Sequence, residues 1–229
     1  MSDADARNVA AYYASLPPVA SASPKDAPLF LPYESGKALS AACAKCHHAD
    51  GNSTTPGTPS LAGQQPRYFV VALQEYLHRD RKIDPMHALL PRFSKVDMES
   101  LALYFASQVP AQRSAPAFGD PAAGEPLTAV CGGCHGSHGV STDAATPSLA
   151  GQDAKYLVNS TKAYRKDRAH EAMRRYVAHL SDKDIDNIAA FYAVQKSKPA
   201  EKGATFVQEL TEKCNRCHGV DIDNPAMAV

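Results

Sequence analysis

The clearest hydrophobic pattern in the chain occurs three times, in segments that begin at Ser2, Ser94 and Ser181. In each segment an Asp follows the Ser by three residues, and apolar residues then recur at the spacing i, i+3, i+4, i+7. The Ser-x-x-Asp pair is typical of a capping box, in which each side chain satisfies a backbone N–H at the start of a helix. The apolar spacing places those residues on one helical face. The pattern therefore predicts amphipathic helices over residues 1–16, over residues 94–108 and after Ser181. Because no alternating apolar pattern of strand length appears, the predicted fold class is all-α.

The chain also repeats itself at a long period. A Cys-x-x-Cys-His motif begins at Cys43 and returns at Cys131, an offset of 88 residues. Pro-Ser-Leu-Ala-Gly-Gln follows each motif, and two tyrosines, an arginine and a methionine then come in the same order. A repeat of this length predicts two complete small domains, the first repeat (33–109) and the second repeat (121–196). Linkers rich in Pro and Ala are predicted at 17–32 and 110–120, the closing helix of a preceding domain at 1–16, and an incomplete third domain at 197–229.

The overall composition excludes several kinds of partner. The 229 residues include 24 basic and 24 acidic side chains, and this balance indicates no nucleic-acid or membrane-surface partner. No apolar run approaches the roughly 20 residues that span a bilayer. The N-terminus lacks the basic and apolar regions of a signal peptide. All six cysteines belong to three Cys-x-x-Cys-His motifs, which leaves none for a structural disulfide.

The Cys-x-x-Cys-His motif indicates the chemistry, because it is the attachment signature of c-type heme. Two thiols one helical turn apart can each bond a vinyl group of one porphyrin, and the adjacent His supplies an imidazole to the iron. The alternatives are a zinc site, which usually needs further Cys or His ligands in the same domain, and a thioredoxin-type site, which accompanies a βαβ pattern. Three covalently attached heme c groups are predicted, bound by Cys43 and Cys46, by Cys131 and Cys134, and by Cys214 and Cys217, with His47, His135 and His218 as iron ligands.

A second axial ligand has to come from elsewhere in each repeat, and Met and His are the usual candidates. Met86 of the first repeat is equivalent in position to Met173 of the second. His87, by contrast, is equivalent to Arg174, and no His outside the motif holds one position in both repeats. We therefore predict Met86 and Met173 as ligands, each carried on a loop. The alternative is that these methionines fill gaps in a core.

Taken together, these features resemble the class I cytochromes c. Each repeat has the attachment motif, a Pro-containing loop, a helix with two Tyr eight residues apart, an Arg five residues before the Met, and a closing helix. The tandem arrangement with Pro-Ser-Leu-Ala-Gly-Gln resembles the two-domain diheme cytochromes of the c-four type, in full over about 33–196. The resemblance implies that the carbonyls of Pro59 and Pro147 orient the proximal imidazoles. It also implies that Arg81 and Arg168 lie near heme propionates or carbonyls of the Met loop, the alternative being a solvated arginine at a helix end.

The third motif departs from this pattern. The predicted Met ligands lie 39 and 38 residues after the motif His, whereas the chain ends eleven residues after His218. Met227 falls in the segment before the expected Pro, so we do not expect it to be a ligand. The sixth ligand of the third heme is left open.

The extra helix at the front and the incomplete domain at the end allow two interpretations. Either the chain is an internal part of a longer cytochrome with four or more domains, or residues 2–16 dock on residues 203–229. Docking between chains would be a head-to-tail self-association, and it would build a filament if it does not close.

The sequence therefore predicts electron transfer and not catalysis, because a heme with both axial positions filled offers no site to a substrate. The expected partners are redox proteins: a donor dehydrogenase or quinol-oxidising complex, and an acceptor oxidase or reductase. The resemblance implies a periplasmic location, where such hemes are attached. The alternative is a cytochrome subunit or domain of a larger oxidoreductase, with an open third heme as the substrate site. A gas-sensing heme module would need a signalling domain, which the sequence does not contain.

Overall fold

A computed structural model describes residues 3–15 and 31–200. All regular secondary structure in these residues is helical, with no strand among them, which confirms the predicted fold class. Helix α1 (Asp3–Ser15) confirms the first predicted helix and belongs to a body separate from residues 31–200. Several predictions lie outside the described residues: Ser2 of the first capping box, most of the 17–32 linker, and the third Cys-x-x-Cys-His motif with Met227.

The two repeats share one order of elements, apart from a second 3-10 turn in the first repeat. The first repeat contains α2 (Pro32–Leu39), a 3-10 turn (Ser40–Ala42), α3 (Ala44–His47), α4 (Pro66–Leu77), α5 (Asp84–Leu89), a second 3-10 turn (Leu90–Arg92) and α6 (Lys95–Ala106). The second contains α7 (Pro121–Gly124), a 3-10 turn (Glu125–Thr128), α8 (Gly132–His135), α9 (Ala154–Ala163), α10 (Glu171–Val177) and α11 (Asp182–Val194). None of the helices in the described ranges is both long enough and apolar enough to cross a membrane.

The closing helices α6 and α11 begin as their sequences predict. The backbone N–H of Asp97 donates to Ser94 Oγ at 3.2 Å, and the backbone N–H of Ser94 donates to the Asp97 carboxylate at 2.8 Å. Ser181 and Asp184 make the same reciprocal pair, at 3.1 and 2.8 Å. Both predicted capping boxes are therefore confirmed.

The closing helices also carry most of each hydrophobic core. Leu101 and Phe105 of α6 are almost fully buried, and the Phe105 ring lies 5.7 Å from the ring of Phe69 on α4. In the second repeat Ile188 and Tyr192 of α11 occupy the corresponding positions and are buried. The apolar stripes read from the sequence are thus the buried faces of these helices.

A glycine brings the first and last helices of each repeat into close contact. A Cβ atom at Gly36 of α2 would lie 2.0 Å from the backbone oxygen of Ser100 on α6. A Cβ atom at Gly124 of α7 would lie 2.1 Å from the backbone oxygen of Asn187 on α11. Because no side-chain carbon fits at such distances, only glycine allows these helices to cross as they do.

One structural expectation is wrong in detail: the predicted methionine ligands lie on short helices and not on loops. Met86 belongs to α5, which has Pro85 in its first turn, and Met173 belongs to α10. The backbone N–H of Met173 donates to Nδ1 of His170, which caps α10. A proline near an N-terminus and a capping side chain both favour a helical turn that the short segments would not otherwise form.

Candidate heme sites and the interface between the repeats

The first candidate site is built on the single helical turn α3. His47 ends this turn and is buried, with 8% of its surface exposed. Its Nδ1 lies 2.8 Å from the backbone oxygen of Pro59. Because a carbonyl can only accept a hydrogen bond, Nδ1 carries the proton and Nε2 has a free lone pair. Burial lowers the pKa of His47, although the Pro59 carbonyl acts in the opposite direction, so the ring is held neutral.

The second repeat reproduces this arrangement. His135 ends α8, is buried, and places Nδ1 at 2.8 Å from the backbone oxygen of Pro147. Burial lowers its pKa as well. Two neutral imidazoles, each with Nε2 available to a metal, therefore occupy equivalent positions.

The cysteines beside these histidines are free thiols. Cys43 and Cys131 are partly buried, Cys46 and Cys134 are exposed, and none of the four forms a disulfide. Burial raises the pKa of Cys43 to about 11 and also raises that of Cys131, so these two thiols stay protonated at neutral pH. Within the described ranges, no three side chains of His, Cys, Asp or Glu are grouped to hold a metal ion such as zinc.

The donor set fits a covalently held heme. Each repeat combines a neutral imidazole with two free thiols one helical turn apart, and it offers a thioether from Met86 or Met173. Met86 is partly buried and packs against the core of the first repeat, and Met173 is also partly buried. Of the competing histidines, His87 donates from Nε2 to the backbone oxygen of Arg81 at 2.6 Å and has a buried Nδ1 without a hydrogen-bond partner, and His170 caps α10.

The two predicted arginines lie together between the repeats, which the sequence does not anticipate. Arg81 is 7% exposed; it pairs with Glu75 and donates to the hydroxyl of Tyr68 at 3.3 Å. Arg168 lies 3.8 Å from the same Glu75 carboxylate and is also largely buried. The alternative of solvated helix-end arginines is therefore wrong. The Nε of Arg168 is buried without a hydrogen-bond partner, so this cluster has room for a further acceptor.

The paired tyrosines recur in both repeats of the sequence, but only the structure shows that they lie against the two arginines. Arg81 lies over the rings of Tyr68 and Tyr76, and Arg168 lies over the ring of Tyr164. Burial acts to raise the pKa of Tyr68, but the two nearby guanidinium groups outweigh burial and lower that pKa. Burial raises the pKa of Tyr164 to about 12. The only signal in the sequence is the pair of Tyr eight residues apart in both repeats.

The two Pro-Ser-Leu-Ala-Gly-Gln segments meet at the same interface and bind each other reciprocally. Gln152 Oε1 accepts from the backbone N–H of Ser60 at 2.7 Å, and Gln152 Nε2 donates to the Ser60 oxygen at 2.9 Å. Gln64 makes the same two bonds with Ser148, at 2.8 and 3.1 Å. All four residues are buried.

The segment that joins the repeats takes part in this interface, although the sequence indicates only a linker at 110–120. Arg113 donates to the backbone oxygen of Ser53 at 2.5 Å, to Ser60 Oγ at 2.8 Å and to the backbone oxygen of Gly151 at 2.9 Å. Gln65 of the first repeat donates to the backbone oxygen of Ser141 in the second repeat at 2.7 Å. The interface is therefore nearly symmetric, with Arg113 and Gln65 contacting equivalent loops.

Comparison with known families supports the same chemistry in both repeats. Residues 33–105 match the family described as "Cytochrome c". Residues 119–191 match the family described as "Cytochrome C oxidase, cbb3-type, subunit III".

Similar proteins cover both repeats at once. Cytochrome c4 of Azotobacter vinelandii is 35% identical over an alignment of 183 residues that covers 68% of this chain and 85% of that protein. A thiosulfate dehydrogenase electron acceptor of Stutzerimonas stutzeri is 29% identical over an alignment of 170 residues that covers 66% of this chain and 78% of that protein. The crystal structure of reduced cytochrome c4 from Pseudomonas stutzeri superposes with a TM-score of 0.62 at 30% identity and covers 71% of this chain and 98% of that one.

Proposed function

The chain belongs to the cytochrome c4 family, the diheme class I cytochromes c, and its function is electron transfer; we propose that it carries single electrons on two c-type hemes, one in each described repeat. The observation that carries this proposal is the pair of buried, neutral histidines, each donating from Nδ1 to a proline carbonyl at 2.8 Å. A heme, when bound, supplies one-electron exchange at its iron. The domain limits 33–109 and 121–196 stay part of the proposal.

We assign the residues of each site as follows. Cys43 and Cys46 in the first repeat, and Cys131 and Cys134 in the second, would attach the heme; His47 with Met86 and His135 with Met173 would hold its iron. With two protein ligands on each iron, neither site would leave a position for a substrate, which supports a carrier and not an enzyme.

The chain's own residues prepare these sites before any heme is bound. Burial keeps each imidazole neutral, and the proline carbonyl fixes its tautomer and raises the basicity of Nε2. The buried Nε of Arg168 and the two guanidinium groups that share Glu75 suit an anionic acceptor such as a heme propionate.

The third motif supports a further proposal, that Cys214 and Cys217 attach a third heme with His218 as its ligand. The matched families cover residues 33–105 and 119–191 only, and the third motif lies outside the described residues. A count of hemes per chain tests this directly.

We propose redox proteins as partners and the periplasm as location. The similarity to a thiosulfate dehydrogenase electron acceptor supports a donor dehydrogenase, with an oxidase or reductase as acceptor. Mixing the reduced and oxidised carrier with candidate dehydrogenases and oxidases, and following heme absorbance, distinguishes a carrier from a catalytic subunit. A carrier exchanges electrons with both and oxidises no small substrate alone.

The decisive experiment is to express the chain with heme maturation, count its hemes by intact mass and record its EPR spectrum. Replacing each pair of cysteines by alanine is expected to remove one heme. Met86→Leu and Met173→Leu are each expected to convert one low-spin heme to high spin. Met98→Leu is the matched control, because Met98 is a buried core methionine of α6 and its loss leaves both spin states unchanged. Low-spin spectra for all three variants would overturn the ligand assignment.

A further inference from the structure

Each proximal histidine shares one peptide group with a glutamine of the other repeat. The carbonyl of Pro59 and the N–H of Ser60 belong to the same peptide bond. The carbonyl oxygen accepts from His47 Nδ1 at 2.8 Å, and the N–H donates to Gln152 Oε1 at 2.7 Å. A continuous path therefore runs from His47 in the first repeat, through one peptide group, to Gln152 in the second.

The mirror arrangement is present in the second repeat. The peptide group between Pro147 and Ser148 accepts from His135 at its oxygen and donates to Gln64 Oε1 at its nitrogen, over 2.8 Å in both cases. The peptide group that accepts from each histidine is thus bound by a glutamine of the other repeat.

Two physical effects transmit the state of the glutamine to the histidine. A peptide group is planar, so fixing the direction of its N–H also fixes the direction of its C=O. Hydrogen bonds in series also polarise one another, so a strong acceptor on the N–H makes the carbonyl oxygen a better acceptor for Nδ1–H. A stronger bond at Nδ1 raises the basicity of Nε2, which favours the oxidised metal and lowers its reduction potential.

We propose that Gln152 and Gln64 are positioning residues that act across the interface: Gln152 sets the potential of the first repeat's heme, and Gln64 that of the second. The inference rests on the proposed function, because it requires a heme at each histidine. The reduction potentials of the two hemes would then depend on the association of the repeats, because the glutamine that binds each proline-serine peptide group belongs to the other repeat.

The hydrogen bonds of the two glutamine side chains fix their orientation. Each glutamine amide is buried, and its oxygen and nitrogen both bind the backbone of one serine of the other repeat. The oxygen also accepts a hydrogen bond from the backbone N–H of the next residue, Gln65 or Asp153. This second bond fixes the amide in place, because it holds Oε1 from its own side of the interface. The acceptor presented to Ser60 or Ser148 is therefore a positioned one.

The test is a spectroelectrochemical titration of the full heme-loaded chain carrying Gln152→Met or Gln64→Met. Met86→His is expected to lower only the first repeat's wave and Met173→His only the second's, so the two variants assign these waves and distinguish them from that of a third heme. Gln152→Met is expected to change the one-electron equilibrium constant of the first heme about threefold. At 59 mV per tenfold change, this raises its potential by about 28 mV. Gln64→Met is expected to do the same to the second heme.

The control is Gln65→Met, since Gln65 is buried in the same interface but contacts Ser141 and not a proline-bearing peptide group. It is expected to leave the difference between the two potentials unchanged. Gln152→Glu replaces the methionine variant if that variant does not fold, because it keeps an acceptor for the N–H of Ser60. It is expected to lower the potential of the first heme more than that of the second.

Three results separate the outcomes. The inference is wrong if the potential shifts at the heme of the glutamine's own repeat, or equally at both hemes. The proposed function still stands in that case, provided that the hemes stay low-spin. The inference is also wrong if Gln152→Met leaves the exchange rate of the His47 Nδ1 proton, measured by NMR, unchanged. A chain that binds no heme at His47 or His135 contradicts the proposed function itself, and heme counting detects that before any titration.

Discussion

The carboxylate of Glu75 in the first repeat lies 3.8 Å from the guanidinium group of Arg168 in the second. The same carboxylate pairs with Arg81 of its own repeat, so one anion serves two cations at the interface. The position equivalent to Glu75 in the second repeat is Ala163, which makes this part of the interface asymmetric.

Glu75→Gln is expected to lower the free energy of unfolding by about 2 kcal/mol, because it leaves two largely buried guanidinium groups without their carboxylate. This is less than for a fully buried pair, since Glu75 is 27% exposed. Urea unfolding of the heme-loaded chain measures the change. Glu99→Gln, which removes a solvent-exposed partner of Lys95, is the control and should change the free energy by less than about 0.5 kcal/mol. Equal effects of the two substitutions would contradict the structural role of Glu75.

His48→Gly is expected to stabilise the first repeat by about 1 kcal/mol. His48 follows the attachment motif with φ 64° and ψ 158°, a region that is essentially restricted to glycine, and Gly136 holds the equivalent place in the second repeat. Thermal unfolding of the two chains gives the difference. The reverse change, Gly136→Ala, is expected to destabilise, because its Cβ would lie 2.3 Å from the backbone oxygen of Val140. No gain from His48→Gly would show that the histidine backbone is unstrained.

Gly36→Ala is expected to cost about 3 kcal/mol or more, because α2 would have to move away from Ser100 of α6. The free energy of unfolding from urea denaturation tests this. Gly133→Ala is the matched control: a Cβ at Gly133 meets nothing within 4 Å, so stability should stay within about 0.5 kcal/mol. A tolerated alanine at Gly36 would mean that the two helices cross at a larger distance.

The capping carboxylates predict an acid-dependent loss of stability. Hydrogen bonds from the Ser94 side chain and backbone lower the pKa of Asp97, and those from Ser181 lower the pKa of Asp184. A folded pKa below the unfolded value of 3.8 means that the unfolded chain binds the proton first. This contribution is therefore complete above pH 3.8 and declines as the pH falls through the folded pKa. The difference in unfolding free energy between the natural chain and Asp184→Asn should shrink between pH 5 and pH 2. A difference independent of pH would contradict the cap.

The predictions from sequence that hold are those that depend on short stretches of chain. The capping boxes of α6 and α11 follow from residues within one helical turn. Met86 and Met173 are misplaced by the same reasoning, because the helical turns that carry them depend on Pro85 and on the His170 cap, which the apolar spacing does not reveal.

By itself, the sequence determined the fold class, the presence of two repeats and the chemistry of the Cys-x-x-Cys-His motif, because each of them follows from the order and spacing of residues along the chain. Only the tertiary structure decided which residues of one repeat contact the other. The bonds from Gln64 to Ser148 and from Gln152 to Ser60 join residues 84 and 92 positions apart. The Pro-Ser-Leu-Ala-Gly-Gln motif marks both ends of these bonds, but nothing in its spacing indicates that the two copies pair with each other. That pairing depends on how two folded surfaces fit together, because buried polar groups must find partners wherever the packing places them.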